Sequence, residues 1–447
     1  MSHHHRTAAE LVDDRPADGV FRIHRDLFRD PAVFALEMER VFEGTWNFVG
    51  LESQVARPND FFTTHVGRQP VLVTRDADGV VRAFLNSCRH RGAVVCPFRK
   101  GRAKFHVCRY HGWAYDSAGR NTLVTDHATG QYPESFDAEG HDLMPVARLG
   151  SYRGLLFASL SPDVPALEEH LGEARGMLDL VLDQSSTGWE FVPGPVNYTY
   201  DGNWKLQFEN GLDFYHFAST HSSYMDVLAQ RAKRNPPAVK APPEPDQEEQ
   251  GSFSFAHGHS VMWSIRNPPR GLRPLAFDRA RLEEVRARVG EERAKWMLRQ
   301  RNLTIFPNLQ IIDIVSLQLR TWRPLAPDRT EMVSHCLAPI GEDAEARRLR
   351  IRQYEDFFNP TGLATSDDNV MYEYCQSGYA ADPDGWTQGY ARGMGGMSGA
   401  AAAPSLVSGI GVAPLAEARG PVTFGDETCF HTGYREWRRL MLRGAEA

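Results

Sequence analysis

Cys88 and His90, two residues apart, are followed after seventeen residues by Cys108 and His111, three apart, and a glycine follows each pair. Thiol and imidazole are metal-ligand groups, and their mixture narrows the choice of metal. Zinc sites of the Cys2His2 kind pair Cys with Cys and His with His. Here each pair holds one of each. That suits a [2Fe–2S] cluster with two cysteines on one iron and two histidines on the other, whose reduction potential is raised by the imidazoles. A Cys88–Cys108 disulfide would need an oxidising compartment, and nothing in the sequence points to one.

A second constellation lies between Asn203 and His221. Asp213 and His216 are three apart and share a helix face; His216 and His221 are five apart, which an ideal helical turn does not bring together. They converge only if the helix ends or bulges between them. Two histidines and a distant carboxylate make the facial triad of a non-haem Fe(II) oxygenase, with three positions left for substrate and dioxygen. On its own the pair also reads as two structural histidines. The cluster motif upstream changes the balance, because dioxygen activation at Fe(II) needs electrons one at a time and a cluster supplies them.

These residues must be positioned by two kinds of architecture. From Phe61 to about Leu160 the pattern is short β runs divided by turns: Pro70–Thr74, Val80–Leu85, Lys104–Cys108, Trp113–Tyr115 and Gly154–Leu160. Both ligand pairs fall at turns between such strands, so two facing tips could hold one cluster. Helical spacing marks Val33–Trp46 as a lead-in helix and Pro165–Asp183 as the way out of this domain. Beyond it, strand-like Trp189–Tyr200 precedes a helix over Trp204–Ser219. A loop rich in Pro and Glu is expected over Asn235–Gly251, then a charged helix over Asp278–Arg301. Strands near Leu303–Ile314, Ser316–Pro324 and Glu331–Ala338 lead to a helix over Ser366–Gln376. A long loop over Gly389–Gly420 and an amphipathic helix over Tyr434–Leu442 end the chain. The second half is therefore α+β with an antiparallel sheet.

With 447 residues, 42% of them hydrophobic, the chain can bury more than one core, so two domains are expected. A net charge of −7 argues against a nucleic-acid surface. Arg89, Arg91, Arg99, Lys100, Arg102, Lys104 and Arg109 nevertheless cluster around the cysteine motif, either as a solvated surface or as a docking patch for an acidic electron donor. No run of apolar residues reaches membrane-spanning length, and the start lacks an apolar signal core, so a cytoplasmic protein is expected. His3, His4 and His5 read as a tail. Cys96, Cys336, Cys375 and Cys429 stand apart from ligand partners and read as reduced thiols.

From about residue 20 to the C-terminal helix, the chain resembles the α subunits of Rieske non-haem iron aromatic-ring-hydroxylating oxygenases. The pattern Cys-x-His-x17-Cys-x2-His is complete at Cys88, His90, Cys108 and His111. Asn-Trp-Lys, Glu-Asn and Asp-x-Tyr-His-x4-His occur between Asn203 and His221. The family's third iron ligand lies in a stretch of the type Phe-Gly-Pro-Ala-Gly-x4-Asp-Asp. Here that stretch runs from Phe358 to Asp368, with Asn359 and Thr361 replacing Gly and Ala.

The resemblance implies a Rieske [2Fe–2S] cluster on Cys88, His90, Cys108 and His111, with Trp113 either shielding it or serving as ordinary core. It implies a mononuclear Fe(II) on His216, His221 and Asp368, with Asp367 a helix cap or solvent-facing. It places Asn210 and Asp213 in the catalytic machinery, Asp213 bridging toward a cluster histidine of a neighbouring subunit. The implied fold is α+β: an all-β Rieske domain over 46–162 and a helix-grip-like catalytic domain over 163–447, with residues 1–45 a helical lead-in packed on the latter. The implied partners are an NADH-dependent reductase or ferredoxin, dioxygen, a small β subunit and an α3 or α3β3 assembly.

Within the family, segments such as Gly67-Arg68-Gln69-Pro70 and Tyr198–Gln207 resemble the benzoate, toluate and anthranilate dioxygenases, which act on carboxylate-bearing rings. The iron-site sequence departs from that group: Leu212 and Phe214 replace Ala and Gly, and Ser222-Ser223-Tyr224 follows His221. Arg266, Arg320 and Arg323 are the candidates to pair with a substrate carboxylate. A monooxygenase or demethylase on the same metals, or a Rieske electron carrier with a non-catalytic second domain, are the alternatives.

Overall fold

The computed structural model describes residues 6–234, 248–266, 272–381, 385–398 and 405–443. His3 to His5 and residues 235–247 of the expected Pro- and Glu-rich loop lie outside them. The chain forms two compact units, residues 42–167 and, as a second body, the residues before 42 together with those from 168 on.

The first unit is built on small antiparallel sheets. Val81–Leu85, Gln69–Arg75, Asp60–Val66 and Lys100–Arg102 lie side by side in that order. Side chains alternate across a strand, and here both faces are apolar. Val71 and Val73 enter one core with Val49, Phe62 and Leu156, while Leu72 enters another with Phe61, Phe84, Cys88, Cys108, Trp113 and Tyr115. The ligand cysteines are thus part of a hydrophobic core. A second sheet, Phe105–Val107 with Ala114–Asp116 and Asn121–Leu123, carries the second ligand turn between its first two strands. The lead-in helix starts at Pro31, where the Asp30 carboxylate accepts from the Ala32 amide at 2.7 Å. It stops at Phe42 after a wider π turn, short of the expected Trp46.

The second unit centres on a ten-stranded antiparallel sheet. Across it run Trp189–Phe191, Arg329–Pro339, Leu317–Ala326, Leu309–Asp313, Gln300–Ile305, Ser260–Ile265, Glu249–Ser254, Ala416–Gly420 and Met397–Ser398, while Val196–Tyr200 also pairs with Arg329–Pro339. Several expectations change here. Residues 249–251 are strand rather than loop, and the Gly389–Gly420 stretch contributes two short strands to the sheet edge. The helices expected over Pro165–Asp183 and Asp278–Arg301 are each divided, into Leu167–Leu171 and Ala174–Leu182 and into Arg279–Val289 and Glu291–Leu298. A glycine with positive φ, Gly172 or Gly290, stands at each division. Helices Ser222–Arg234 and Ala344–Phe357 appear where none was expected, and the last helix starts at Cys429. No helix among the described residues is long and apolar enough to cross a membrane.

One buried ion pair ties the lead-in helix to the catalytic unit. Glu37, fully buried, accepts from Lys205 Nζ at 2.5 Å, Trp437 Nε1 at 2.7 Å and Trp204 Nε1 at 3.0 Å. Every acceptor need of the carboxylate is met, which is what a buried charge requires. The Asn-Trp-Lys motif therefore anchors the helix that leads into the iron-site sequence.

Candidate metal centres

Each cluster tip is a tight loop closed by its own backbone. Gly92 N donates to Cys88 O at 2.8 Å, and Gly112 N to Cys108 O at 2.9 Å. Gly92 has φ 74° and Gly112 φ 76°, a left-handed turn that residues with a Cβ rarely adopt. The two tips thus repeat one geometry. Their histidines face each other, Nδ1 to Nδ1, at 3.1 Å, so both can bind one iron through the same ring nitrogen. Cys88 and Cys108 are buried free thiols. The Tyr115 hydroxyl lies 3.2 Å from Cys88 Sγ. Trp113 is buried and stacks on His90 with ring centres 5.0 Å apart. All seven basic residues around the tips are exposed, and Arg109 and Arg91 lie over Phe98 and Tyr110.

The second centre resolves the five-residue spacing. Helix Trp204–Asn210, capped by Asn203, ends at Gly211 instead of running to Ser219. Gln310, from the facing strand, donates through Nε2 to the Phe208 and Gln207 carbonyls at 3.0 and 3.3 Å. A Cβ on Gly211 would come within 2.2 Å of that same amide. The chain then turns at Asp213, whose Oδ1 accepts from the amides of Tyr215 and His216 at 2.5 and 3.3 Å. His216 and His221 bracket the single-turn helix Phe217–Thr220, so their rings converge.

Asp368 reaches them from the first turn of helix Thr365–Tyr379. His216 Nε2 and His221 Nε2 are 3.3 Å apart, and Asp368 Oδ1 lies 3.5 and 3.1 Å from them. Donors around one ion at metal–ligand distances of about 2.1 Å stand roughly 3.0–3.4 Å apart, so the three fit a single ion. Asn210 Nδ2 touches the same point, 3.1 Å from Asp368 Oδ1 and 3.3 Å from His216 Nε2.

Behind the ring nitrogens that face away stand two further carboxylates. Asp213 Oδ2 lies 3.0 Å from His216 Nδ1, and Asp367 Oδ2 lies 3.5 Å from His221 Nδ1. Asp367 is thus not the cap, which is Ala364; its side chain is one-third exposed, with Oδ2 toward His221. Such outer carboxylates fix ring tautomer and orientation. Burial works to lower the His216 pKa, yet Asp213 and Asp368 raise it to about 10; burial opposes but the two histidines hold Asp368 well below the carboxylate range. The electrostatics favour a cation at this point.

The triad opens on a small cavity of about 40 Å³. One face of the sheet forms its floor through Met262, Asn302, Ile312 and Arg320, and Phe214, Phe217, Phe357 and Phe358 line it beside the triad. Of the three candidate arginines, Arg320 lies here. Arg323 instead pairs with Glu331 on the adjacent strand at 2.9 Å, and Arg266 donates to Gln250 at 3.3 Å. Phe214, the bulky departure from the benzoate-type pattern, does line the cavity; Leu212 is fully buried.

Residues 45–134 match the Rieske [2Fe-2S] domain, and residues 189–443 match the ring hydroxylating alpha subunit catalytic domain. The chain is 40% identical to the large subunit of 2-halobenzoate 1,2-dioxygenase from Burkholderia cepacia, over 98% of this chain and 93% of that one. It is 44% identical to toluate 1,2-dioxygenase subunit alpha from Pseudomonas putida, over 83% and 82%. With the large subunit of anthranilate 1,2-dioxygenase from Acinetobacter baylyi it shares 39% identity over 97% and 92%. Among solved structures, naphthalene 1,2-dioxygenase from a Rhodococcus species bound to indole superposes with a TM-score of 0.79 over 95% of each chain, at 27% identity.

Proposed function

The chain belongs to the α subunits of Rieske-type aromatic-ring-hydroxylating dioxygenases, and we propose that its substrate is a benzoate-type aromatic acid, held above His216, His221 and Asp368. The observation that carries this reading is the three-donor site of His216, His221 and Asp368 at the wall of a mostly apolar cavity. The relatives' substrates, 2-halobenzoate, toluate and anthranilate, support the acid.

When bound, an Fe(II) at the triad would supply the site for dioxygen activation, and a cluster on Cys88, His90, Cys108 and His111 would supply the electrons one at a time. The protein's own part is positional. Asp213 and Asp367 hold the two imidazoles so that both Nε2 atoms face the ligand point. Asn210 donates to Asp368 Oδ1 and restrains the carboxylate. The phenylalanines keep water from the ring face. The net reaction consumes one ring, one dioxygen, NADH and a proton, and yields a cis-dihydrodiol and NAD⁺, or a catechol where a leaving group departs. Electrons come from NADH through a reductase. We further propose an α3β3 assembly in the cytoplasm, in which Asp213 also bridges toward a cluster histidine of a neighbouring subunit.

Turnover under ¹⁸O₂ with a suitable reductase tests this. Two labelled oxygens in a product derived from benzoate or a toluate support it. A single labelled oxygen, or loss of a methyl group, would make the protein a monooxygenase or demethylase.

A further inference from the structure

Buried Arg273, Arg301 and Arg350 are each paired with a carboxylate. Arg273 and Arg301 both pair with Asp313, and Arg350 pairs with Glu342 at 2.6 Å. Arg320 differs from these three. It is 4% exposed, and no carboxylate among the described residues makes an ion pair with it. Its Nε donates to Gln318 Oε1 at 2.6 Å. Gln318 is itself locked, donating to Ser334 Oγ at 2.6 Å and to the Phe358 carbonyl at 3.0 Å, and Ser334 meets the Tyr354 hydroxyl at 2.9 Å. The side chain is therefore held by its inner nitrogen, while its terminal nitrogens have no hydrogen-bond partner among the described residues. An isolated buried charge is costly unless something pairs with it.

Arg320 lines the cavity that the triad lines. Other polar atoms nearby also lack partners: Gln300 Nε2 and Asn302 Oδ1 in the cavity lining, and the hydroxyl of Tyr198. Burial pushes the Tyr198 phenol up to about 12, with Arg320 opposing and Asp368 adding. A fixed cation and unpaired polar groups, in a cavity otherwise lined by Phe, Met and Ile, are complementary to a small anion carried on an aromatic ring.

We propose that Arg320 is the specificity-determining residue of this cavity, taking the carboxylate of the aromatic acid on the terminal nitrogens of its guanidinium and so holding the acid end of the ring on the sheet side, with the ring carbons toward His216, His221 and Asp368. This rests on the aromatic-acid reading above. The planar fork of Arg matches a carboxylate with two parallel hydrogen bonds, which an ammonium cannot reproduce.

The test compares Arg320→Gln and Arg320→Lys with the wild type as cluster- and iron-loaded holoenzymes. Benzoate affinity is measured anaerobically, and kcat/KM is measured for benzoate and for uncharged benzamide. Arg320→Gln is expected to weaken benzoate binding by about 100-fold and to collapse the preference for benzoate over benzamide; Arg320→Lys falls between. Cluster absorbance and iron content verify that each variant is folded, and the lysine variant decides the matter should the glutamine variant not load. Wild-type benzoate affinity in a loaded variant overturns the role of Arg320 while leaving the dioxygenase reading in place. A wild-type enzyme that prefers benzamide to benzoate overturns both the aromatic-acid reading and this assignment.

Discussion

His90 and His111 stand at the tips of two turns, the first open to solvent and the second half-buried, ringed by exposed Arg89, Arg91, Arg109, Phe98 and Tyr110. His216 and His221 sit inside the other unit, with side-chain exposures of 20% and 2%, and each is backed by a carboxylate. No carboxylate is paired with either tip histidine among the described residues. The difference follows from the work of each site. Electrons arrive from another protein, so the accepting imidazoles must lie near a surface. Oxygen chemistry needs a site walled from water, and there the donors must be preorganised by neighbours that solvent does not replace.

Removing a buried ligand should break the comparison most sharply. Asp368→Ala is expected to lower product formation by roughly 10³-fold or more and to cost one iron per chain, while the EPR signal of the reduced cluster stays as in the wild type. Loss of the cluster signal in that variant would mean the two sites do not hold metal independently. Asp213→Ala leaves all the ligands in place but frees the His216 ring. Both kinds of iron should remain, with product formation reduced by about 100-fold; unchanged turnover would remove the orienting role of Asp213.

At the surface site the corresponding lever is a hydrogen bond, not a carboxylate. Tyr115→Phe removes the hydroxyl beside Cys88 Sγ, which favours the more electron-rich reduced cluster. The reduction potential should fall by roughly 20–60 mV, the one-electron equivalent of a single hydrogen bond. An unchanged potential in redox titration would show that the contact does not tune the cluster.

The smallest effect concerns pH. Burial raises the Glu209 pKa to about 7, although the hydroxyls of Tyr390 and Tyr434 donate to it and oppose the rise. A carboxyl held protonated by the fold stabilises it fully below its unfolded pKa of about 4.5. That contribution is lost as pH rises from there through about 7. The thermal midpoint of the catalytic unit should therefore fall over this range, and Glu209→Gln should flatten the fall. An identical slope in the variant would place the titration elsewhere.

The residues that converge at the two centres were legible in the sequence as Cys and His at fixed spacings and, through the family resemblance, an Asp-Asp pair after a recognisable loop. So was the alternation of small strands around the cysteines. What escaped depends on contacts between distant residues. The helix over Trp204–Ser219 breaks because Gln310, on a strand about a hundred residues later, occupies the space at Gly211. Asp367 looks like a cap by position, and only the packing of its helix near His221 brings its Oδ2 toward that ring. The edge strand Ala416–Gly420 lies in a Gly- and Ala-rich stretch with no strand pattern of its own, and is strand because Glu249–Ser254 pairs with it. Arg320 was one of three indistinguishable arginines until the register of its strand placed it on the cavity floor.

Iron and acid-labile sulfide per chain, measured on anaerobically purified protein with an EPR spectrum of the reduced form, test the two-site account most directly. It predicts about three irons and two sulfides with a Rieske-type signal. About two irons and two sulfides after loading with Fe(II) would leave the surface cluster alone, and would contradict an oxygenase centre at His216, His221 and Asp368.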